Sequence, residues 1–291
     1  MCNDDTSRHT HLGHRLNKSQ GVNPRAKIGI STSVVKCKNC GLIYNQPMPI
    51  PNKITDHYNM EITDYWENPD QLYREGYFKD EIEVFKRLSG AISDRTKALD
   101  VGSGLGQTVV ALNNAGFDAV GIEPSKSFYD GAIKYSKLSE KHFINNSFED
   151  ETLEENEFDL ITCPNVIEHV YDPSQSILKC IKSLKPGGLL YICVPSSNWL
   201  RTKLINLFYK ITMSGYVTNT SPMHPPFHLH EFSKQSFYEH ASKHGYQVEL
   251  ITIFPDKVIN IPVVRNVFKA ITKLFNLGIR MDVWIRKPIT S

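Results

Sequence analysis

The sequence predicts a doubly wound α/β domain preceded by a small basic module, and three observations carry that reading. From about residue 70 onward, short apolar strands alternate with amphipathic helices. A glycine-rich loop, Gly102-Ser-Gly-Leu-Gly106, lies between a strand and a helix. Leu189-Leu-Tyr-Ile-Cys-Val194 is apolar throughout, as a strand covered on both faces should be.

The elements follow in order. From Asp70, an apolar periodicity of Leu72, Tyr73, Tyr77, Val84, Phe85 and Leu88 predicts a helix that stops at Gly90, a good C-terminal cap. Strand 97–101 runs into the glycine loop, and a helix over 107–115 ends at Gly116. Strand 118–122 leads through Glu123-Pro-Ser125 to another helix, and Phe143-Ile144 and 158–162 read as the third and fourth strands. A helix over 174–184 closes at Lys185-Pro-Gly-Gly188, a stop-and-turn signal, before the fifth strand at 189–194. Residues 195–230 form a long irregular insertion with one amphipathic stretch, 199–213. Helix 233–244, strand 246–254, a basic amphipathic insertion within 255–279 and a final strand over 281–285 complete the main domain, 61–291. Residues 1–60 are turn-rich and basic and form the N-terminal module.

Composition narrows the class. With 33 Lys+Arg against 31 Asp+Glu and 40% hydrophobic residues, the 291-residue chain has the make-up of a folded globular protein rather than a disordered one. No run reaches the ~18 apolar residues of a membrane span, and six scattered cysteines do not make a disulfide scaffold. The polar start, MCNDDTSRHT, makes the cytoplasm the expected location. Residues 1–60 carry 8 basic and 3 acidic side chains and 255–291 carry 7 and 2, which leaves 18 basic and 26 acidic between them. Such an acidic body with basic ends implies distinct roles for the ends, yet no Arg-rich or aromatic RNA-binding pattern points to nucleic acid.

Chemistry concentrates first in Asp100-Val-Gly-Ser-Gly-Leu-Gly106. Glycines let the backbone turn sharply and approach a ligand, and the helix N-terminus behind them supplies N–H donors. The spacing is G-x-G-x-G, whereas the dinucleotide fingerprint places its third glycine one residue later. Glu123, at the end of the second strand, is placed to accept two ribose hydroxyls at once. A tight structural turn with a solvent-facing Glu is the plainer alternative.

Ala98 to Gly106, Gly121-Ile-Glu-Pro-Ser125, Phe158-Asp-Leu-Ile-Thr-Cys-Pro-Asn-Val-Ile-Glu-His-Val170 and Leu184-Lys-Pro-Gly-Gly-Leu-Leu190 resemble the ordered blocks of class I S-adenosylmethionine-dependent methyltransferases. The resemblance covers about 95–254 and implies a Rossmann-like, mostly parallel seven-stranded sheet whose last strand is antiparallel. It also implies S-adenosylmethionine as cofactor. Asp100, Gly102, Ser103, Gly104 and Gly106 would face its methionine part, and Glu123 with Pro124 its ribose. Ser147 and Phe148 would border adenine, with Cys163 and Asn165 near the amino-acid end.

Methyl transfer needs donor and acceptor aligned, and a base when the acceptor is a hydroxyl. Two histidines compete for that role: His169, beside Glu168 after the fourth strand, and His228, in Pro222-Met-His-Pro-Pro-Phe-His-Leu-His230. A structural role for His169 stands equally open. His224, His228 and His230 lack a supporting Cys or carboxylate cluster for a metal. Cys37-x-x-Cys40-Gly has the form of a zinc knuckle, and its surroundings resemble the split zinc ribbon that precedes some bacterial methyltransferases. That family has an earlier Cys-x-x-Cys, to which only Cys2 corresponds here, with His9, His11 or His14 as candidate fourth ligand and a metal-free remnant as the alternative. Cys163, Cys180 and Cys193 read as small core residues.

The resulting expectation is a methyltransferase acting on an oxygen of a small-molecule or glycan-type acceptor, with structural zinc at Cys2, Cys37 and Cys40. A noncatalytic S-adenosylmethionine- or nucleoside-binding protein is the competing class, and a nicotinamide oxidoreductase a weaker one. Two basic amphipathic segments, 199–213 and 264–275, either pack on the domain or form a greasy, basic surface for an anionic membrane.

Overall fold

Seven strands are hydrogen-bonded into one sheet in a computed structural model that describes residues 1–2, 8–16, 31–48, 62, 73–220, 228–255 and 274–289. Numbered along the chain, they are β4 (Lys97–Val101), β5 (Asp118–Ile122), β6 (Phe143–Ile144), β7 (Phe158–Pro164), β8 (Leu184–Pro195), β10 (Gln247–Phe254) and β11 (Arg280–Arg286), in the order β10-β11-β8-β7-β4-β5-β6. Strand β4 pairs in parallel with both β5 and β7, and β5 with β6, so the chain order reverses direction around β4. This is the doubly wound, mostly parallel seven-stranded architecture that the sequence predicts, and the sequential neighbours β10 and β11 lie side by side in it. The central strands are buried on both faces: Ala98, Leu99, Ile161, Leu190 and Ile192 have no exposed surface. That is why they read as continuous apolar runs.

The helices are α1 (Lys79–Ser89), α2 (Gln107–Asn114), α3 (Lys126–Ser136), α4 (Pro173–Ser183), α5 (Leu200–Ile211) and α6 (Lys234–His244). Helix α1 begins later than its apolar periodicity, because Gly76 (φ 78°) and Phe78 (φ 61°) are left-handed and break the backbone ahead of Lys79. Lys185-Pro-Gly-Gly188 stops α4 as expected but lies inside β8, which takes up the turn at Gly187 (φ 80°). Ser125 caps α3 by accepting from Phe128 N–H, and Ser233 caps α6 with a capping box to Ser236.

Where the sequence suggests turns, the N-terminal residues form strands. β1 (His9–Leu16), β2 (Ser31–Cys37) and β3 (Ile43–Gln46) make an antiparallel sheet, which β9 (His230–Glu231) extends by pairing with β3. In Ser31-Thr-Ser-Val-Val-Lys-Cys37 the residues Thr32, Val34, Val35 and Cys37 are buried, and Val34, Ile43 and Val217 form a small core. The chain resolves into two compact units. One comprises Met1–Pro49, Asn165–Ser174 and Cys193–Val283, the other Ile50–Pro164, Gln175–Ile192 and Trp284–Ser291. His224 and residues 256–273, including most of the second amphipathic segment, lie outside the described residues.

Candidate active site

The glycine loop belongs to the second unit and is held by two buried carboxylates. Asp100, at 1% exposure, accepts the Thr162 hydroxyl at 2.6 Å and a bond from Thr108. Burial pushes its pKa up to about 7, and the nearby charge of Glu123 adds to the rise. Glu123 accepts Gly104 N–H at 2.8 Å on one oxygen and Ser125 N–H at 2.9 Å on the other. Its burial likewise raises its pKa to about 7. Each carboxylate oxygen has two lone pairs, so both keep capacity for a ligand hydroxyl.

The loop backbone is shaped for close approach. Gly102, Gly104 and Gly106 have φ of 66°, 53° and 80°, and Ser103 N–H is tied to Ile122 O at 2.9 Å. A Cβ at Gly106 would strike the Phe143 ring at 2.7 Å, whereas one at Gly104 would meet nothing within 4 Å. The backbone at Gly104 therefore borders open space, where a ligand can approach without a side chain in the way. The Ser103 hydroxyl is buried and has no hydrogen-bond partner among the described residues. Open space at the Gly104 backbone and a carboxylate with free lone pairs suit a ligand carrying hydroxyl and amino-acid groups, as S-adenosylmethionine does.

The other expected contacts divide. Pro124 and the backbone of Glu123 are tied down by Asn145, whose Nδ2 donates to the Glu123 carbonyl at 2.8 Å and to that of Pro124 at 3.3 Å. Asn145, Thr108 and Thr162 are supports that motif reading overlooked, although each lies within or beside a motif. Ser147 is engaged locally, donating to Asp150 Oδ2 at 2.8 Å. Phe148 is buried under the Lys179 ammonium, 4.7 Å from its ring centroid. The Cys163 thiol is fully buried, 3.9 Å from that of Cys180 on α4, and thus contributes to the core.

A cavity of about 450 Å³ lies in the first unit. Its lining includes Asn165, Trp199, Thr202, Thr218, Thr220, His228, Glu231 and Arg280. Asn165 adopts φ 56°, a conformation Asn tolerates better than most residues, and donates its N–H to Cys193 O at 2.8 Å. Arg280 is paired through two nitrogens with Asp282, at 2.7 and 2.6 Å, which offsets its charge. Glu231 accepts Asn219 Nδ2 at 2.7 Å and Thr220 N–H at 2.5 Å. Thr220 in turn accepts Asn45 Nδ2 at 2.8 Å, and Asn45 accepts the Thr32 hydroxyl at 2.8 Å. Arg15, whose pKa burial lowers to about 10, donates to Val217 O at 3.1 Å. The N-terminal strands thus hold the segment that supplies Thr218 and Thr220 to the cavity.

His169 and His228 do meet, with ring centroids 4.9 Å apart at 71°. Glu168 joins them, one ligand atom from each residue lying within 4.8 Å of the others. Burial pushes the His228 pKa down to about 4, which leaves it neutral at physiological pH. Cys2, Cys37 and Cys40 also converge, with Cys2 Sγ 3.6 Å from Cys37 Sγ. Burial and the neighbouring thiols push Cys40 up to about 12, so its thiol stays protonated unless a cation draws off the proton. Among the described residues no histidine joins them: His9 bonds Tyr44 at 2.7 Å, and His11 stacks edgewise on His14.

Comparison with known proteins agrees with this geometry. A family model described as a methyltransferase domain matches residues 73–251. The chain is 36% identical over 98 residues to a ubiquinone biosynthesis O-methyltransferase of Methylococcus capsulatus, covering 33% of this chain and 41% of that one. It is 33% identical over 127 residues to the protein of the same name from Coxiella burnetii, covering 43% and 52%. The chain therefore spans about half the length of these curated relatives. Among solved structures, a chain from the complex between the Haloferax volcanii Trm112 methyltransferase activator and a methyltransferase is similar, with TM-score 0.53 and 17% identity over 79% of this chain and 99% of that one. A Haemonchus contortus phosphoethanolamine N-methyltransferase, solved with phosphomonomethylethanolamine and S-adenosylhomocysteine, gives TM-score 0.53 and 14% identity over 82% and 62%. At such identities the structural likeness speaks to fold.

Proposed function

Because the chain belongs to the methyltransferase-domain family, we propose that it is an active S-adenosylmethionine-dependent methyltransferase that methylates an oxygen of a small, hydroxyl-rich acceptor. The donor supplies an electrophilic methyl group on a sulfonium. In this reading Glu123 takes the ribose hydroxyls, and Asp100 and the Gly102–Gly106 backbone take the amino-acid end. The observation that carries it is the Glu123 carboxylate, buried, bonded to Gly104 and Ser125, and still able to accept two hydroxyls.

The acceptor belongs to the cavity lined by Trp199, Thr202, Thr218 and Thr220. An aromatic ring with several hydroxyls and a neutralised Arg–Asp pair favours a neutral, polyhydroxylated or sugar-containing molecule over a strongly charged one. Oxygen as the methylated atom is supported by the relatives' names. Zinc on Cys2, Cys37 and Cys40 is part of the proposal, supported by the convergence of the three thiols. The test is incubation with methyl-labelled S-adenosylmethionine and a panel of phenolic and sugar hydroxyl acceptors, reading methylated product and S-adenosylhomocysteine by mass. Product on a hydroxyl is expected. Failure to bind S-adenosylhomocysteine at all would overturn the donor assignment.

A further inference from the structure

Glu168 presents an unsolved problem in its surroundings. It is fully buried, and beyond the residue's own backbone N–H neither carboxylate oxygen has a hydrogen-bond partner among the described residues. Burying a carboxylate without partners is among the costlier things a fold can do. Protonation removes the charge but leaves two buried polar atoms unmatched. His169 does not repair this, since its Nε2 stands 3.9 Å from Glu168 Oε1, beyond hydrogen-bond reach.

The backbone brings a third group to the same place. After Asn165 the chain turns tightly, with His169 N–H bonded to Val166 O at 2.9 Å. The Glu168 carbonyl then accepts Leu229 N–H at 2.8 Å and His230 N–H at 3.2 Å, which pins the segment carrying His228 against the one carrying Glu168 and His169. Two imidazoles and a carboxylate so fixed, with ligand atoms within 4.8 Å of one another, nearly match the span of ligands around a small ion. At about 2.0–2.2 Å from ion to ligand, neighbouring ligands stand roughly 3–4 Å apart, a side-chain rotation away.

We propose that Glu168, His169 and His228 bind one divalent first-row metal ion. Two nitrogens and one oxygen suit zinc, manganese, iron or cobalt, and leave coordination positions open. His228 also lines the cavity, so an acceptor oxygen can take one of those positions. Resting on the reading above, the ion acts as a Lewis acid on that oxygen. The O–H bond breaks with its proton passing to solvent, and the O–CH₃ bond forms as the sulfonium–CH₃ bond breaks, its electron pair staying on sulfur. No separate general base is then required, and both histidines serve as ligands.

The test uses tag-free, chelator-stripped protein titrated with Mn²⁺ and followed by electron paramagnetic resonance. Mn²⁺ favours oxygen and nitrogen donors and so bypasses the thiol trio. One bound equivalent is expected, weakened about 100-fold or more in Glu168→Gln and in His228→Gln, and unchanged in Cys37→Ser. Thermal melts check folding, and Glu168→Gln, which removes only the charge, should melt no lower than the native chain. Absence of Mn²⁺ and Co²⁺ uptake, or uptake unchanged in both variants, overturns the proposal. S-adenosylhomocysteine binding, measured on the same samples, is expected to persist throughout, and its loss from the native protein would instead indict the donor reading.

Discussion

Glu123→Gln separates binding from stability. In the native fold the Glu123 pKa stands near 7 because of burial, against 4.5 for the free group. With the folded pKa raised, the folded state holds a proton that the unfolded chain has released. Stability therefore falls as pH climbs from about 4.5 to 7 and is level above that. Gln does not titrate. The variant's stability relative to native should therefore rise by about 2.5 kcal/mol between pH 5 and pH 8. Easing of Asp100, which the Glu123 charge holds up, adds in the same direction. Against this, the amide sets an NH₂ against either Gly104 N–H or Ser125 N–H, at about 1–3 kcal/mol. The variant should consequently fold about as well as native at pH 8. Donor binding has no such offset, because one charged acceptor site is lost to a ribose hydroxyl, about 2–3 kcal/mol or roughly 30- to 150-fold in Kd. Calorimetry with S-adenosylhomocysteine at pH 8, beside denaturant melts across pH, measures both. A Kd within threefold of native would refute the assignment of Glu123 to the ribose.

Two further expectations concern the first unit. Asn45→Ala leaves the hydroxyls of Thr32 and Thr220 without their shared partner, so urea unfolding should show a loss of about 1–3 kcal/mol while S-adenosylhomocysteine affinity stays put; an unchanged midpoint would remove the network's structural role. On α5, Leu204, Phe208 and Ile211 are 56%, 60% and 71% exposed, with Arg201, Lys203 and Lys210 on the same helix, so sedimentation should show binding to anionic vesicles, at about 1 kcal/mol per basic residue, that salt and Phe208→Ser weaken; equal, negligible binding to anionic and neutral vesicles would rule the surface out.

Much of the fold is legible because its signals are local. Short, mostly apolar stretches mark β4 and β7, an unbroken apolar run marks β8, and the glycines at 102, 104 and 106 stand where left-handed φ is needed. What escapes the sequence depends on partners far along the chain. Phe78 is left-handed though it lies in an apolar periodicity, which delays α1. The pairing of His230–Glu231 with Ile43 and Tyr44 joins segments nearly 190 residues apart, which no local pattern encodes. The apolar stripe of α5 is visible as a stripe, yet periodicity says only that a face exists and not what covers it; its apolar side chains stay largely exposed.

The acidic residues show the same limit within the candidate site. Asp100, Glu123 and Glu168 each follow or end a central strand, each is buried, and each has its pKa raised by burial. Residue type and position therefore make them equivalent. Their partners do not: Asp100 has the Thr162 hydroxyl and Glu123 has two backbone N–H groups, whereas Glu168 has none beyond its own backbone N–H among the described residues. The first two are carboxyl groups already held by the protein, with spare lone pairs for a ligand's hydroxyls. The third has two histidines beside it and no donor beyond its own backbone N–H, the arrangement on which the proposed cation site rests. Sequence marks Asp100 and Glu123 as candidate donor contacts and leaves Glu168 as a neighbour of His169; the hydrogen-bond partners are what support the metal role proposed for Glu168.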